Sequence, residues 1–231
     1  DLIIMNQHSF LSRVYHSAGL ISKASDEVIK LGFSHEQLTP EDEVTFSVVT
    51  KAKIDQLRRA HRIVQIINER EDKKGKVNRV IILRGFRAKI EEELASLLSQ
   101  YISLINNVFL NDPSNENSKI LFLKMKADYL RYLAEIQRTQ IQIVQDAYAQ
   151  AYKAAKSLLN PAHPLRTGIV LNYSVFYFEI VGNKLSAKEI AKLGYEEAIA
   201  AIKTLPSDER EDTMEILNLI SANLKNWEKS P

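Results

Sequence analysis

Only seven glycines and six prolines interrupt a chain of 231 residues, and apolar side chains recur between them at three- and four-residue intervals. That periodicity commits the chain to helices, because no alternating run reads as a strand. The clearest start is "LTPEDEVTFSVVTK". Thr39 is an N-cap, Pro40 suits the first helical position, and Glu41, Asp42 and Glu43 favour the positive end of the helix dipole. This helix is expected to run to about Glu69, where "EREDKKGKVNR" reads as a charged loop. A second long helix is expected over about 78–110, around "RAKIEEELASLLSQYISLI", and "NDPSNENS" is a turn cluster. Helices over about 117–136 and 138–159 come next. "NPAHP" breaks the chain, and Pro164 opens a helix reaching Val181. After "GNKLS" the last two helices cover about 186–203 and 207–228, with Ser207 as N-cap of the second. Two or three short helices fill residues 4–36. Short links between roughly nine helices favour antiparallel neighbours in one domain spanning residues 1–231.

Composition narrows the function. Cysteine is absent, so neither a disulfide framework nor a thiolate metal site can form. The net charge of +2 lacks the basic excess of a nucleic-acid binder. The opening "DLIIM" is too short to span a membrane, so a cytoplasmic or nuclear protein is expected. His8, His16, His35, His61 and His163 never fall at metal-ligand spacing, and His163 reads as a turn or helix-start histidine. Glu91, Glu92 and Glu93 read as a solvated face. There is no phosphate loop, no His-Glu-x-x-His and no nucleophile elbow. The sequence therefore argues against an enzyme, and no cofactor or metal is expected.

Two charged stripes stand out. Lys51, Asp55, Arg58 and Arg62 fall at i, i+4, i+7 and i+11, and Lys124, Asp128, Arg131 and Glu135 repeat that spacing. Each stripe carries an acid within one turn of an arginine, which can neutralise and orient the guanidinium. If the stripes face each other, Lys51, Arg58 and Arg131 converge, and clustered cations call for an anion such as a phosphate dianion. The plainer reading is two solvated faces with ion pairs of about 0.2–0.5 kcal/mol each. Leu171, Asn172, Val175 and Glu179 share a face of "TGIVLNYSVFYFEI", and Ile216, Leu219, Asn223 and Trp227 recur down the last helix. Asparagines among apolar residues can grip an extended backbone, or satisfy carbonyls at helix crossings.

Longer stretches carry a resemblance. "LFLKMKADYLRYLAEI" and "NPAHPLRTGIVLNYSVFYFEI" resemble the fifth- and seventh-helix signatures of 14-3-3 proteins. "FSVVTKAKIDQLRRAHRIV", "FRAKIEEEL" and "ILNLISANLKNW" resemble parts of the third, fourth and ninth helices, so the match covers most of the chain from Leu38 to Trp227. The resemblance implies an all-α protomer of nine antiparallel helices, cup-shaped with a concave amphipathic groove. It also implies a dimer that binds phosphoserine or phosphothreonine in extended peptides of client proteins. It places the phosphate on Lys51, Arg58, Arg131 and Tyr132, braced by Asp128 and Glu135 with Arg62 nearby. Asn172 and Asn223 would hold the peptide backbone. Leu171, Val175, Glu179, Ile216, Leu219, Trp227 and Lys124 would line the groove.

Departures from the family sharpen the expectations. Family members are usually acidic, and Glu215 and Asn226 stand at two positions of the apolar wall. The "EIQRTQIQIVQDAY" link is short for the family, and residues 1–37, which would dimerise, diverge most. For dimerisation, Val14 and Ala18 keep an apolar side, and Val64, Phe86, Lys89 and Glu93 keep the receiving side. Leu20 and Lys23 stand where the family has an arginine and an acid. Lys23 would repel Lys89, and Glu93 would lose its partner. Surface pairs contribute about 0–1 kcal/mol, so a weakened or altered homo- or heterodimer is expected. Ser230–Pro231 would be a proline-directed phosphosite whose phosphorylated tail competes for the groove. The alternative function is a phosphate-independent helical scaffold with a degenerate groove.

Overall fold

The Thr39 signal works as a reciprocal lock in the computed structural model, which describes residues 6–34, 38–137 and 141–229. Thr39 Oγ1 accepts from the Asp42 N–H at 3.2 Å, and Asp42 Oδ2 accepts from the Thr39 N–H at 2.9 Å. Nine α-helices and no strand occur among the described residues: α1 (Gln7–Ser17), α2 (Ile21–Gly32), α3 (Pro40–Lys73), α4 (Val77–Leu104), α5 (Glu116–Gln137), α6 (Ile141–Leu158), α7 (Pro164–Phe176), α8 (Lys184–Ala201) and α9 (Ser207–Glu228). Single turns of π-helix extend α4 over Ile105–Phe109 and α7 over Tyr177–Val181. The chain forms two compact units, one ending at Ser114 and the other beginning at Asn115. None of the described helices is long and apolar enough to cross a membrane.

In the first unit α1 packs on α2, α2 on α3, and α3 on α4. "EREDKKGKVNR" is not a loop. Helix α3 runs on to Lys73, and only Lys74–Lys76 separate it from α4. Glu71 explains this: its buried carboxylate accepts from Lys74 at 3.0 Å and from Arg79 at 2.9 Å, so the charges staple the hairpin. Gly75 supplies the turn at φ +66°. The core centres on Phe46, whose ring lies 4.2 Å from Phe109 and 6.1 Å, edge-on, from Tyr101. The Tyr101 hydroxyl shares a 2.5 Å hydrogen bond with Ser25, and burial pushes its pKa up to about 12. The acidic run of α4 is only partly solvated. Glu91 meets His61 at 2.8 Å and Arg87 at 3.2 Å, and Glu93 meets Lys53 at 2.9 Å.

In the second unit α5 packs on α6 and α7, while α7, α8 and α9 pack on one another. Helix α8 presents Ala187, Ala191, Gly194 and Ala198, all buried, at i, i+4, i+7 and i+11. That small-residue stripe lets α7 and its Val170 come close. His163 caps α7, its Nδ1 accepting from the Leu165 N–H at 3.1 Å, as expected of a helix-start histidine. Ser207 does not cap α9. Pro206 takes that place with φ −54° and ψ 159°, and Ser207 is the first helical residue. Helix α8 begins before Ser186, at Lys184, because Asn183 accepts from the Ser186 N–H at 3.0 Å. Residues 1–5, His35, residues 138–140, Ser230 and Pro231, on which some expectations fall, lie outside the described residues.

Candidate ligand-binding site

The second stripe folds into a tight network within the second unit. On α5, Lys124 Nζ meets Asp128 Oδ2 at 2.6 Å, and Arg131 Nη1 meets Glu135 Oε1 at 2.5 Å, each one helical turn apart. Asp128 does not touch Arg131 directly. The Tyr148 hydroxyl, from α6, accepts from Arg131 Nε at 3.0 Å and donates to Asp128 Oδ1 at 2.6 Å. Asn172, from α7, donates to the same oxygen at 2.8 Å. The Arg131 guanidinium also lies 4.5 Å from the centroid of the Tyr132 ring, a cation–π contact. Arg131 and Asp128 are each only 6% exposed, so a charged pair is held largely out of water through one neutral hydroxyl.

The electrostatics agree with that geometry. Burial raises the Asp128 pKa, but Lys124 and Arg131, with hydrogen bonds from Lys124 and Tyr148, outweigh it and hold the carboxyl below its usual range. Burial opposes the Arg131 charge, yet Tyr148, Tyr132, Asp128 and Glu135 together raise its pKa. Burial and the neighbouring Asp128 push the Tyr148 phenol well up, so it stays a neutral bridge. The result is a guanidinium held at Nε by Tyr148, at Nη1 by Glu135 and across its face by Tyr132. An immobilised cation of this kind suits a planar or tetrahedral oxyanion.

Other predicted residues take distinct places. Lys124 lies against Gly168 of α7, where an added Cβ would sit 3.3 Å from its Cε. Leu171, Val175 and Ile216 are half-buried against the α7–α9 core, and Leu219 is 55% exposed. Glu179 is exposed in the π-turn, and Glu135 and Glu179 line a cavity of about 460 Å³ with Ala134, Ile141 and Ile180. Asn223 is half-buried on α9, where Glu215 and Asn226 are exposed. Trp227 is not a surface wall residue: it is 6% exposed and stacks on Phe178 at 4.6 Å and 11°. The indole serves the core, which leaves the exposed Leu219 and the half-buried Ile216 as the apolar wall residues expected on α9.

In the first unit Lys51 and Arg62 are exposed along α3, and Asp55 and Arg58 are half-buried. Val14, Ala18, Phe86 and Lys89 are exposed, as an interface requires. Val64 is 6% exposed and belongs to the packing of its own unit. Glu93 does not lack a partner, since Lys53 of the same chain supplies one. Leu20 is 46% exposed, and the Lys23 ammonium sits 5.7 Å from the Tyr15 ring centroid. The sequence reading missed both Tyr148 and Lys53. A tyrosine within the buried stripe Val144, Ala147, Tyr148, Ala151 and Ala155 signals a hydroxyl in need of a partner. Lys53 sits on the inward, apolar side of α3, where a cation is out of place. Among the described residues no cluster of three or more His, Asp or Glu could hold a metal.

Comparison with known proteins adds an independent line. Residues 12–228 match the family model described as "14-3-3 protein". The chain is 35% identical over 207 residues to a 14-3-3-like protein of Helianthus annuus, covering 87% of this chain and 80% of that one. It is 35% identical over 196 residues to 14-3-3 protein theta of Mus musculus, covering 83% and 79% respectively. These matches span both compact units and include the α5 and α7 stretches that build the Arg131 network, and the chain belongs to the 14-3-3 family.

Proposed function

We propose that this chain is a non-enzymatic adaptor that binds phosphoserine or phosphothreonine in extended segments of client proteins. Family membership supports a phosphopeptide-binding adaptor role in general. The observation that carries the finer reading is the Arg131 network: an arginine 6% exposed, oriented by Tyr148, Glu135 and Tyr132, is organised for a ligand more than for solubility. In this reading Arg131, Tyr132, Lys51 and Arg58 bind the phosphate, and Asp128 and Glu135 set the arginine, with Arg62 in support. Asn172 commits its amide N–H to Asp128 and keeps its amide oxygen for a peptide N–H. Asn223 takes the same role on α9. Leu171, Val175, Ile216 and Leu219 receive apolar side chains of the client, and Lys124 and Glu179 flank it.

The adaptor is proposed to work as a homo- or heterodimer through Val14, Ala18, Phe86 and Lys89, so that two phosphosites are held with avidity. Its place of action would be the cytoplasm. The test is titration of a phosphoserine peptide into Arg58→Ala and Arg131→Ala. Losing one charge-assisted phosphate contact costs about 2–5 kcal/mol, which is about thirtyfold or more in Kd. Unchanged affinity in both variants overturns the residue assignment.

A further inference from the structure

We propose that Ser22 is a phosphorylation site and that its phosphate takes the buried ammonium of Lys53 away from Glu93. Lys53 is 6% exposed on the inward side of α3, in sequence with the buried Val49, Ile54 and Leu57. A buried ion pair at such a position adds little over an aliphatic side chain of similar size, so stability alone does not account for a lysine there. Its Nζ donates to Ser22 Oγ at 3.1 Å and to Glu93 Oε1 at 2.9 Å. An ammonium has three protons, and the third has no acceptor among the described residues. Beside it opens a cavity of about 300 Å³, lined among others by Ser22, Asp26, Glu93, Ser96 and Gln100.

Ser22 differs from other serines of the chain. The hydroxyls of Ser12, Ser34, Ser47, Ser99 and Ser174 donate to backbone carbonyls. Ser22 Oγ instead accepts from a desolvated cation, although Ser22 itself is exposed. It follows the exposed turn Ala18, Gly19 and Leu20, and the first turn of α2 has no side-chain cap. An uncapped, exposed first turn opens at low cost, which a kinase's active site requires. The step is ordinary phosphoryl transfer from a nucleoside triphosphate by a serine kinase. Ser22 Oγ forms a bond to the γ-phosphorus, the bond from that phosphorus to the β,γ-bridging oxygen breaks, and the nucleoside diphosphate leaves. The hydroxyl proton goes to the kinase's base.

Three charges that line this cavity then face the phosphate: Lys53 attracts it, and Asp26 and Glu93 repel it. Lys53 acts with least screening because it is buried, whereas Asp26 is exposed and the Glu93 side chain is 51% exposed. Three acceptor oxygens also meet the unpaired third proton. Glu93 turns outward and joins Phe86 and Lys89 on the exposed face of α4 as a free carboxylate. The modification therefore rewrites the charge of that face while leaving Lys51 and Arg58 untouched.

The test uses the full chain with phosphoserine encoded at position 22, alone and combined with Lys53→Met or Glu93→Gln, each checked for helicity. Phosphorus NMR follows the phosphate through its second ionisation. The expected midpoint in the parent lies about one pH unit or more below that of the Lys53→Met protein, and Glu93→Gln keeps the low value. Coincident midpoints in parent and Lys53→Met overturn the exchange. Separately, the unmodified chain is incubated with magnesium ATP and an extract of cells that express it, then mapped by peptide mass. Phosphate on Ser22 is expected, and an unmodified Ser22 overturns the site.

Discussion

Replacing Tyr148 with phenylalanine removes one oxygen atom and leaves the ring, which stacks on Tyr173 at 5.3 Å and lies tilted 5.7 Å from Phe176, in place. That oxygen is 3.0 Å from Arg131 Nε and 2.6 Å from Asp128 Oδ1. Asp128 keeps two donors, Lys124 and Asn172, so its loss is partly absorbed. Arg131 Nε is left with a buried N–H and no acceptor in that direction. Hydrogen bonds to charged groups contribute about 1.5–3 kcal/mol each, so the combined cost is about 2–4 kcal/mol. For a chain of this size each kcal/mol lowers Tm by about 2–4 °C, giving a fall of roughly 4–16 °C. Binding should suffer separately. A guanidinium no longer held in place must be ordered by the ligand, at about 0.5–1.5 kcal/mol, so a phosphopeptide should bind about two- to tenfold more weakly. Differential scanning calorimetry and isothermal titration measure the two effects. A Tyr148→Phe protein with parental Tm and parental phosphopeptide affinity would refute the claim that this hydroxyl positions Arg131.

Other consequences are sharp enough to check. Thr39→Ala removes one half of the capping box and should cost about 1–2 kcal/mol, read as a lower midpoint in urea with an unchanged slope. His163 has its pKa lowered chiefly by burial, with Glu209 opposing. The unfolded chain therefore binds the proton more tightly, and the histidine's contribution is full above about pH 6.5 and lost as pH falls through the lower folded value. Thermal melts below pH 6.5 should show a loss of stability in the parent that His163→Asn, which keeps a capping acceptor, lacks. Phosphopeptide affinity should fall below about pH 6 as the phosphate monoester takes its second proton. Asp128 stays ionised there, because its pKa is lowered despite burial. A flat affinity between pH 7.5 and 5 would show that the dianion is not what Arg131 recognises.

The parts of this molecule that were legible in the sequence are those fixed by neighbours along the chain. Thr39, Pro40 and Asp42 announce the start of α3 because a capping box is complete within four residues. The pairs Lys124–Asp128 and Arg131–Glu135 follow from one-turn spacing alone. What failed depended on pairings that only the folded chain reveals. "EREDKKGKVNR" looks like a solvated loop until Arg79 and Lys74 are seen to neutralise Glu71. Glu93 looks abandoned until Lys53, on another helix, reaches it. Trp227 keeps the spacing of a groove residue, but Phe178 claims its ring. Tyr148 sits in an ordinary apolar stripe, and its role exists only because α6 brings it to α5. The π-turns at Ile105–Phe109 and Tyr177–Val181 left no mark in residue type.

The central claim is that the charges of α3 and α5 are there for a phosphate carried on a peptide. Calorimetric titration of one peptide in two forms, phosphoserine and serine, against the full chain tests it most directly. Phosphopeptide binding at least about thirtyfold tighter than that of its serine twin is predicted, corresponding to 2 kcal/mol or more from the phosphate. Equal affinity for the two forms would contradict the account and leave a helical scaffold that ignores phosphate.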